Sequence, residues 1–222
     1  MKRAEARGAV AAAYRDLGRR GLIVGSAGNV SMRTRKGMVI TPSGGDPDRA
    51  GPAAMVSMTL DGGWTGDGTP SSEWAMHAAI YRARPDAACV VHTHADACTA
   101  LACLNQGLPA FHYMVGNFGG DDVRCAPYVT FGTPALADLA VDALAGRGAC
   151  LLANHGMIVH ARSVAAALSD AVLLETLCRQ YLLALSAGTP RLLTSAEMGV
   201  AHERFKTYGP RSGVLAGPVR TK

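Results

Sequence analysis

One short apolar run constrains this chain more than any other stretch. Ala87-Ala88-Cys89-Val90-Val91 leads directly into His92-Thr93-His94-Ala95-Asp96, which reads as a buried strand ending in two histidines. Successive side chains of an extended backbone alternate faces, so His92 and His94 project to one side. Two imidazoles converging at a strand end can share one divalent metal, but zinc takes three or four protein ligands. The fold must therefore bring further donors to that strand end from elsewhere in the chain. His155, in Leu151-Leu152-Ala153-Asn154-His155-Gly156, is the best-placed third imidazole, at a strand tip where Gly156 permits a bend. Glu73 is the candidate fourth donor, a carboxylate able to bind and release.

The flanking pattern mixes hairpins with helices. Residues 3–20 carry an apolar stripe of Val10, Ala13, Tyr14 and Leu17 at helical spacing. Residues 30–34 and 38–41 read as a hairpin across Arg35-Lys36-Gly37, with a weaker hairpin around Asp61-Gly62-Gly63. Pro70-Ser71-Ser72-Glu73 opens a helix, with serine in the capping role, that ends at Arg84-Pro85; a further helix spans about 96–104. Residues 110–115 and 124–129 read as strands separated by Gly116-Asn117-Phe118-Gly119-Gly120. Thr133-Pro134 starts a helix to about residue 145, and strands at 150–153 and 157–160 flank Asn154-His155-Gly156. Ser163 starts a long helix to Ala187, and Thr194-Ser195-Ala196-Glu197 has capping-box spacing for a last helix ending near Tyr208-Gly209. Such an order predicts an α/β fold: a three-layer α/β/α sandwich around a central, largely antiparallel sheet. Residues 1–222 read as a single domain, with 1–8 and 210–222 expected to be flexible ends.

Charge and cysteine content narrow the function classes. The formal charge is +5. Lys2, Arg3 and Arg7 against Glu5, together with Arg211, Arg220 and Lys222, account for all of it, so the body of the domain is neutral. A basic nucleic-acid face is not expected. The six cysteines form no C-x-x-C pair and mostly sit in apolar surroundings, as reduced thiols do. The most apolar run, residues 164–185, carries Asp170, Glu175 and Arg179, so it reads as a core helix, not a membrane span. The first residues lack the apolar core of a signal peptide, and a cytoplasmic location is the expectation.

Three segments present small residues with backbone donors: Ser26-Ala27-Gly28-Asn29, Ser43-Gly44-Gly45, and Ser71-Ser72 at a helix start. Backbone N–H groups and hydroxyls at such places attract phosphate. None matches the Gly-Lys-Ser/Thr loop or G-x-G-x-x-G. The other histidines have structural readings: His77 on the apolar stripe of its helix, His112 in packing or hydrogen bonding, His160 at a strand end, and His202 in a charged terminal helix.

Taken together, Gly28-Asn29-Val30-Ser31, Ile40-Thr41-Pro42-Ser43-Gly44, Pro70-Ser71-Ser72-Glu73-Trp74, Val91-His92-Thr93-His94, Asn154-His155-Gly156 and Phe205-Lys206-Thr207-Tyr208-Gly209 resemble the class II aldolases of the aldolase/adducin superfamily, over nearly the whole length. The resemblance is to the branch acting on L-fuculose 1-phosphate. It implies a zinc-dependent aldolase that reversibly cleaves a ketose 1-phosphate into dihydroxyacetone phosphate and a small aldehyde such as lactaldehyde. Position by position, it implies Zn2+ (or Mn2+ or Co2+) on His92, His94 and His155, with Glu73 as fourth contact and acid/base. Gly28, Asn29, Ser43, Gly44, Ser71 and Ser72 would hold the substrate phosphate. The implied assembly is a homotetramer with the active site at the subunit interface, Tyr113 entering a neighbouring site and Tyr208 on a C-terminal segment that covers it. Asn154 stands where a histidine is familiar, and Phe118 is expected to narrow or reshape the aldehyde pocket. Aldolases for 5-deoxyribulose or methylthioribulose 1-phosphate, and a dehydratase, epimerase or decarboxylase on the same scaffold, remain open. An adducin-like assembly domain would be expected to have eroded ligands and a structural zinc site to use cysteines, whereas here the three histidines and Glu73 are all present and no cysteine lies beside them.

Overall fold

The computed structural model describes residues 3–207. Among them, eight strands form one sheet: β1 (Gly28–Thr34), β2 (Gly37–Ile40), β3 (Val56–Met58), β4 (Trp64–Thr65), β5 (Cys89–Thr93), β6 (Cys125–Ala126), β7 (Ala149–Leu152) and β8 (Gly156–Ala161). Their order across the sheet is β4-β3-β2-β1-β5-β8-β7-β6. All neighbours are antiparallel except β6 beside β7.

Helices cover both faces. On one side α1 (Arg3–Arg19), α3 (Asp96–Cys103) and α5 (Val164–Ala187) pack on Val30, Met32, Val91 and Val159. On the other, α2 (Trp74–Ala83) and α4 (Pro134–Ala143) pack on Met38, Ile40, Val90 and Ile158. Alternation along each strand divides its side chains between these two cores, which gives the expected α/β/α sandwich. A last helix, α6 (Ser195–Thr207), begins with the anticipated box: Thr194 Oγ1 accepts from Glu197 N at 3.2 Å, and Glu197 Oε2 accepts from Thr194 N at 2.8 Å.

Three expectations need correction. Residues 110–115 are not a strand; Tyr113–Phe118 form a 3₁₀ turn. His112 Nδ1 accepts from Met114 N at 3.1 Å, and Gly119, at φ 93°, closes the turn in the left-handed region. Residues 124–129 supply only the two-residue β6, because Pro127 has no N–H to extend the ladder. At the N-terminus α1 begins at Arg3 with Ala6 fully buried, so the segment is held from Arg3 onward and not only from residue 9.

Two buried polar contacts fix the elements that frame the sheet's upper edge. The Tyr14 hydroxyl of α1 donates to the Gly45 carbonyl at 2.9 Å, tying α1 to the loop containing Ser43 and Gly44. Burial, aided by Asp46, pushes the Tyr14 hydroxyl up to about 12, so it keeps its proton. Glu175 of α5 accepts from Ala97 N at 3.0 Å and Cys98 N at 2.9 Å, occupying the orphan donors at the start of α3 just after His94. No helix among the described residues is long and apolar enough to cross a membrane.

Candidate metal centre

Four donors meet where β5, the β7–β8 turn and the start of α2 converge. His92 is on β5 and His94 immediately follows it, so strand alternation aims both rings the same way. His155 sits in the tight turn between β7 and β8. Asn154 enters that turn at φ 54°, a left-handed conformation that asparagine tolerates better than most residues. A Cβ on Gly156 would meet the Thr93 carbonyl oxygen at 2.4 Å, so glycine lets this turn close on the end of β5. Glu73 occupies the cap position of α2. Its side chain makes no capping bond and turns into the cluster; Ser71 Oγ accepts from Glu73 N at 3.3 Å instead.

The three imidazole centroids form a near-equilateral triangle of 4.8 to 4.9 Å, with rings inclined 70° to 79° to one another. The ligand atoms of Glu73, His92, His94 and His155 all lie within 4.8 Å of one another. His92 Nδ1 lies 2.8 Å from the Met157 carbonyl oxygen, which can only accept, so the ring proton is on Nδ1. The His92 Nε2 lone pair therefore faces His94 Nε2 at 3.0 Å and Glu73 Oε2 at 3.0 Å. Glu73 Oε1 is 3.2 Å from His155 Nε2, yet buried with no hydrogen bond aligned on it. Converging lone pairs and an orphaned carboxylate oxygen are the donor set of a divalent cation. Three nitrogens and one oxygen suit zinc among such ions.

The electrostatics agree with that fit. Burial lowers His94 to about 4, reinforced by its neighbours His92 and His155, so its ring is neutral and able to bind a metal. Burial pushes the Glu73 carboxyl up, but the pull of the His92 and His155 rings in their protonated form outweighs it and holds the group below the usual carboxylate range. Glu73 is therefore ionised beside the rings.

A cleft of about 620 Å³ opens against this cluster, within the range that holds small ligands. Gly28, Asn29, Ser43, Gly44, Ser71 and Ser72 all line it, together with Glu73, His94 and His155. The Ser43 and Ser71 amides already donate to the Thr69 and Thr41 carbonyls, so these residues offer hydroxyls to the cleft. His92 lies behind the wall, fully buried. Tyr128, Val129 and Phe131 add an apolar flank.

Tyr113 does not line the cleft; half exposed, it stacks on His112 at 4.7 Å and against Phe205 at 6.1 Å. Tyr208 lies outside the described residues. Phe118 is 1% exposed and packs in the core on the α1/α3/α5 side, so it does not shape this cleft.

Sequence reasoning missed His77. Its ring is fully buried, with Nε2 2.5 Å from Asn29 Oδ1 and Nδ1 2.7 Å from Ser31 Oγ. Two signals were available: His77 is four residues from Glu73 on one helix face, and Asn29 and Ser31 are polar on one face of an otherwise apolar strand. Burial lowers the His77 ring to about 3 from an ordinary 6.5, with repulsion from His92 adding to the shift. Between those values the unfolded chain binds the extra proton and the fold does not, so stability is retained above about pH 7 and lost as pH falls. The unfolding free energy of the wild type, measured relative to His77→Gln, is expected to drop by about 2 kcal/mol between pH 7 and pH 5. A difference that stays flat over that interval would show the ring is not held neutral.

Comparison with known proteins follows the same lines. The model of the Class II Aldolase and Adducin N-terminal domain matches residues 8–182. A 5-methylthioribulose-1-phosphate/5-deoxyribulose-1-phosphate aldolase of Rhodospirillum rubrum is 46% identical over 199 residues, covering 90% of each chain. An L-fuculose phosphate aldolase of Escherichia coli K12 is 43% identical over 197 residues, covering 88% of this chain and 92% of its own. A solved L-fuculose 1-phosphate aldolase superposes with a TM-score of 0.87 at 38% identity, covering 91% of this chain and 96% of its own. With its three imidazoles and carboxylate gathered as such an enzyme needs, the chain belongs to the class II aldolase and adducin family, as an aldolase.

Proposed function

We propose that this chain is a zinc-dependent aldolase that reversibly cleaves a ketose 1-phosphate of the L-fuculose type into dihydroxyacetone phosphate and a small aldehyde. The observation that carries the reading is a three-imidazole, one-carboxylate cluster opening onto a cleft lined by six small polar or glycine residues. His92, His94 and His155, with Glu73 alongside, would hold a divalent metal, which would supply a Lewis acid for the substrate oxygens.

The residues of the chain divide the remaining work. Hydroxyls of Ser43, Ser71 and Ser72, with the backbone of Gly28, Asn29 and Gly44, hold the phosphate and fix the reacting carbons relative to the cluster. The Ser71–Ser72 pair stands at the start of α2, where the helix dipole favours an anion. When the C3–C4 bond breaks, charge develops at C3. Glu73, whose Oε1 carries no hydrogen bond, removes a proton from C3 in synthesis and, once it has taken a proton from solvent, returns one to C3 in cleavage. Tyr113, exposed and outside its own cleft, exchanges a proton with the C4 oxygen at a neighbouring subunit's site in a homotetramer.

A second reading, cleavage of 5-deoxyribulose or methylthioribulose 1-phosphate, is favoured by the Rhodospirillum rubrum relative. The apolar flank of Tyr128, Val129 and Phe131 suits the deoxygenated end of any of these aldehydes. A panel of ketose 1-phosphates with differing tails, followed by release of dihydroxyacetone phosphate, tests both. Cleavage is expected only with the phosphorylated ketoses, to stop on chelation, and to return with zinc. The tail giving the highest kcat/KM separates the two readings. No cleavage of any member, or full activity after exhaustive chelation, would remove the assignment.

A further inference from the structure

A run of buried polar side chains extends from the carboxylate of Glu73 into the interior. Glu73 Oε2 accepts from Asn29 Nδ2 at 3.1 Å. Asn29 Oδ1 lies 2.5 Å from His77 Nε2, His77 Nδ1 lies 2.7 Å from Ser31 Oγ, and Ser31 Oγ lies 2.9 Å from the Tyr81 hydroxyl. All five residues are at most 6% exposed. Asn29 and Ser31 are on β1, with Asn29 directly opposite His92 on β5, while His77 and Tyr81 are successive turns of α2.

The direction of every hydrogen bond follows from one end. An ionised carboxylate only accepts, so the Asn29 amide must present nitrogen to Glu73 and oxygen to His77. His77 must then carry its proton on Nε2, which leaves Nδ1 bare to accept from the Ser31 hydroxyl. The Ser31 oxygen in turn accepts from Tyr81. Each proton points toward Glu73. Flipping the amide would set its oxygen against the carboxylate oxygen and break the buried bond to Glu73.

We propose that His77 is a positioning residue: through Asn29 it ties Glu73 Oε2 and leaves Oε1 free for metal and substrate. The proposal rests on the reading of Glu73 given above. A histidine buried only to fill the helix–sheet interface would have no reason to end its polar contacts on the carboxylate.

Two substitutions separate positioning from packing. A glutamine amide nitrogen reaches the place of ring Nε2, whereas asparagine reaches only that of Nδ1. Both lose the ring, so both are expected to lower the thermal unfolding midpoint. In the full-length, zinc-loaded protein, His77→Gln is expected to stay within about threefold of wild-type kcat, whereas His77→Asn falls about 10–100-fold with KM nearly constant. Zinc affinity, measured by competition with a chelator, is expected to weaken about tenfold in His77→Asn and to recover in His77→Gln. In the metal-free wild type, nitrogen NMR of the ring is expected to find the proton on Nε2. Equal losses in the two variants, tracking their stability, would overturn the proposal, as would a proton on Nδ1. If wild-type protein cleaved no ketose 1-phosphate, the functional reading would fall, while the tautomer and the zinc affinities would still decide the role of His77.

Discussion

Glu73→Gln is expected to cut turnover about 10²–10⁴-fold while leaving the metal substantially bound. The change removes a charge and a proton-accepting oxygen but almost no volume, and the three imidazoles remain on their strand and turn. Glutamine can still accept from Asn29 Nδ2 with its carbonyl oxygen. An amide nitrogen then stands where Oε1 was, and it cannot take a proton from C3. The loss corresponds to about 3–5 kcal/mol of transition-state stabilisation. Metal content by elemental analysis alongside kcat checks both halves of the expectation. An unchanged rate would take Glu73 out of the chemistry.

His94→Ala is expected to lose its metal and activity together, with affinity for the ion falling by more than about 100-fold, beyond the usual effect of an outer contact. His94 follows the last residue of β5 and its side chain is only partly buried, so the sheet does not depend on it. Stability of the metal-free chain is therefore expected to change by less than about 1 kcal/mol. This contrast with His92, which is fully buried and bonded to Met157, makes His94 the cleaner substitution. Full activity with stoichiometric metal still bound would refute the ligand set.

The histidine pair, the third imidazole at a strand tip and the capping box at Thr194 were all legible, because each follows from a local rule: alternation along a strand, a bend at glycine, a side chain returning to a helix start. The sheet's largely antiparallel character also followed from the hairpins. What escaped local rules was decided by neighbours. The aromatic run at 111–114 has strand composition, but His112 bonds Met114 and Gly119 closes the turn, so it coils before any strand can accept it. Ser71 and Ser72 have the composition of a cap, yet Glu73 takes that position and lends its side chain to the cluster. His77 has an ordinary place on a helix stripe. Its partners come from a strand some 46 to 48 residues away, and only the packing of α2 on β1 joins them.

The register of β1 against β5 sets Asn29 across from His92 and Gly28 across from Thr93. A shift of one residue would turn Asn29 to the opposite side of the sheet, away from the carboxylate. Assembly of the reactive centre is thus inseparable from correct strand alignment in the middle of the molecule. The Tyr128–Phe131 rim is made of peripheral loop and is under no such constraint. That rim borders the cleft but carries none of the four donors, so substitutions there can reshape the opening while the cluster keeps its place, a division of labour between rim and centre.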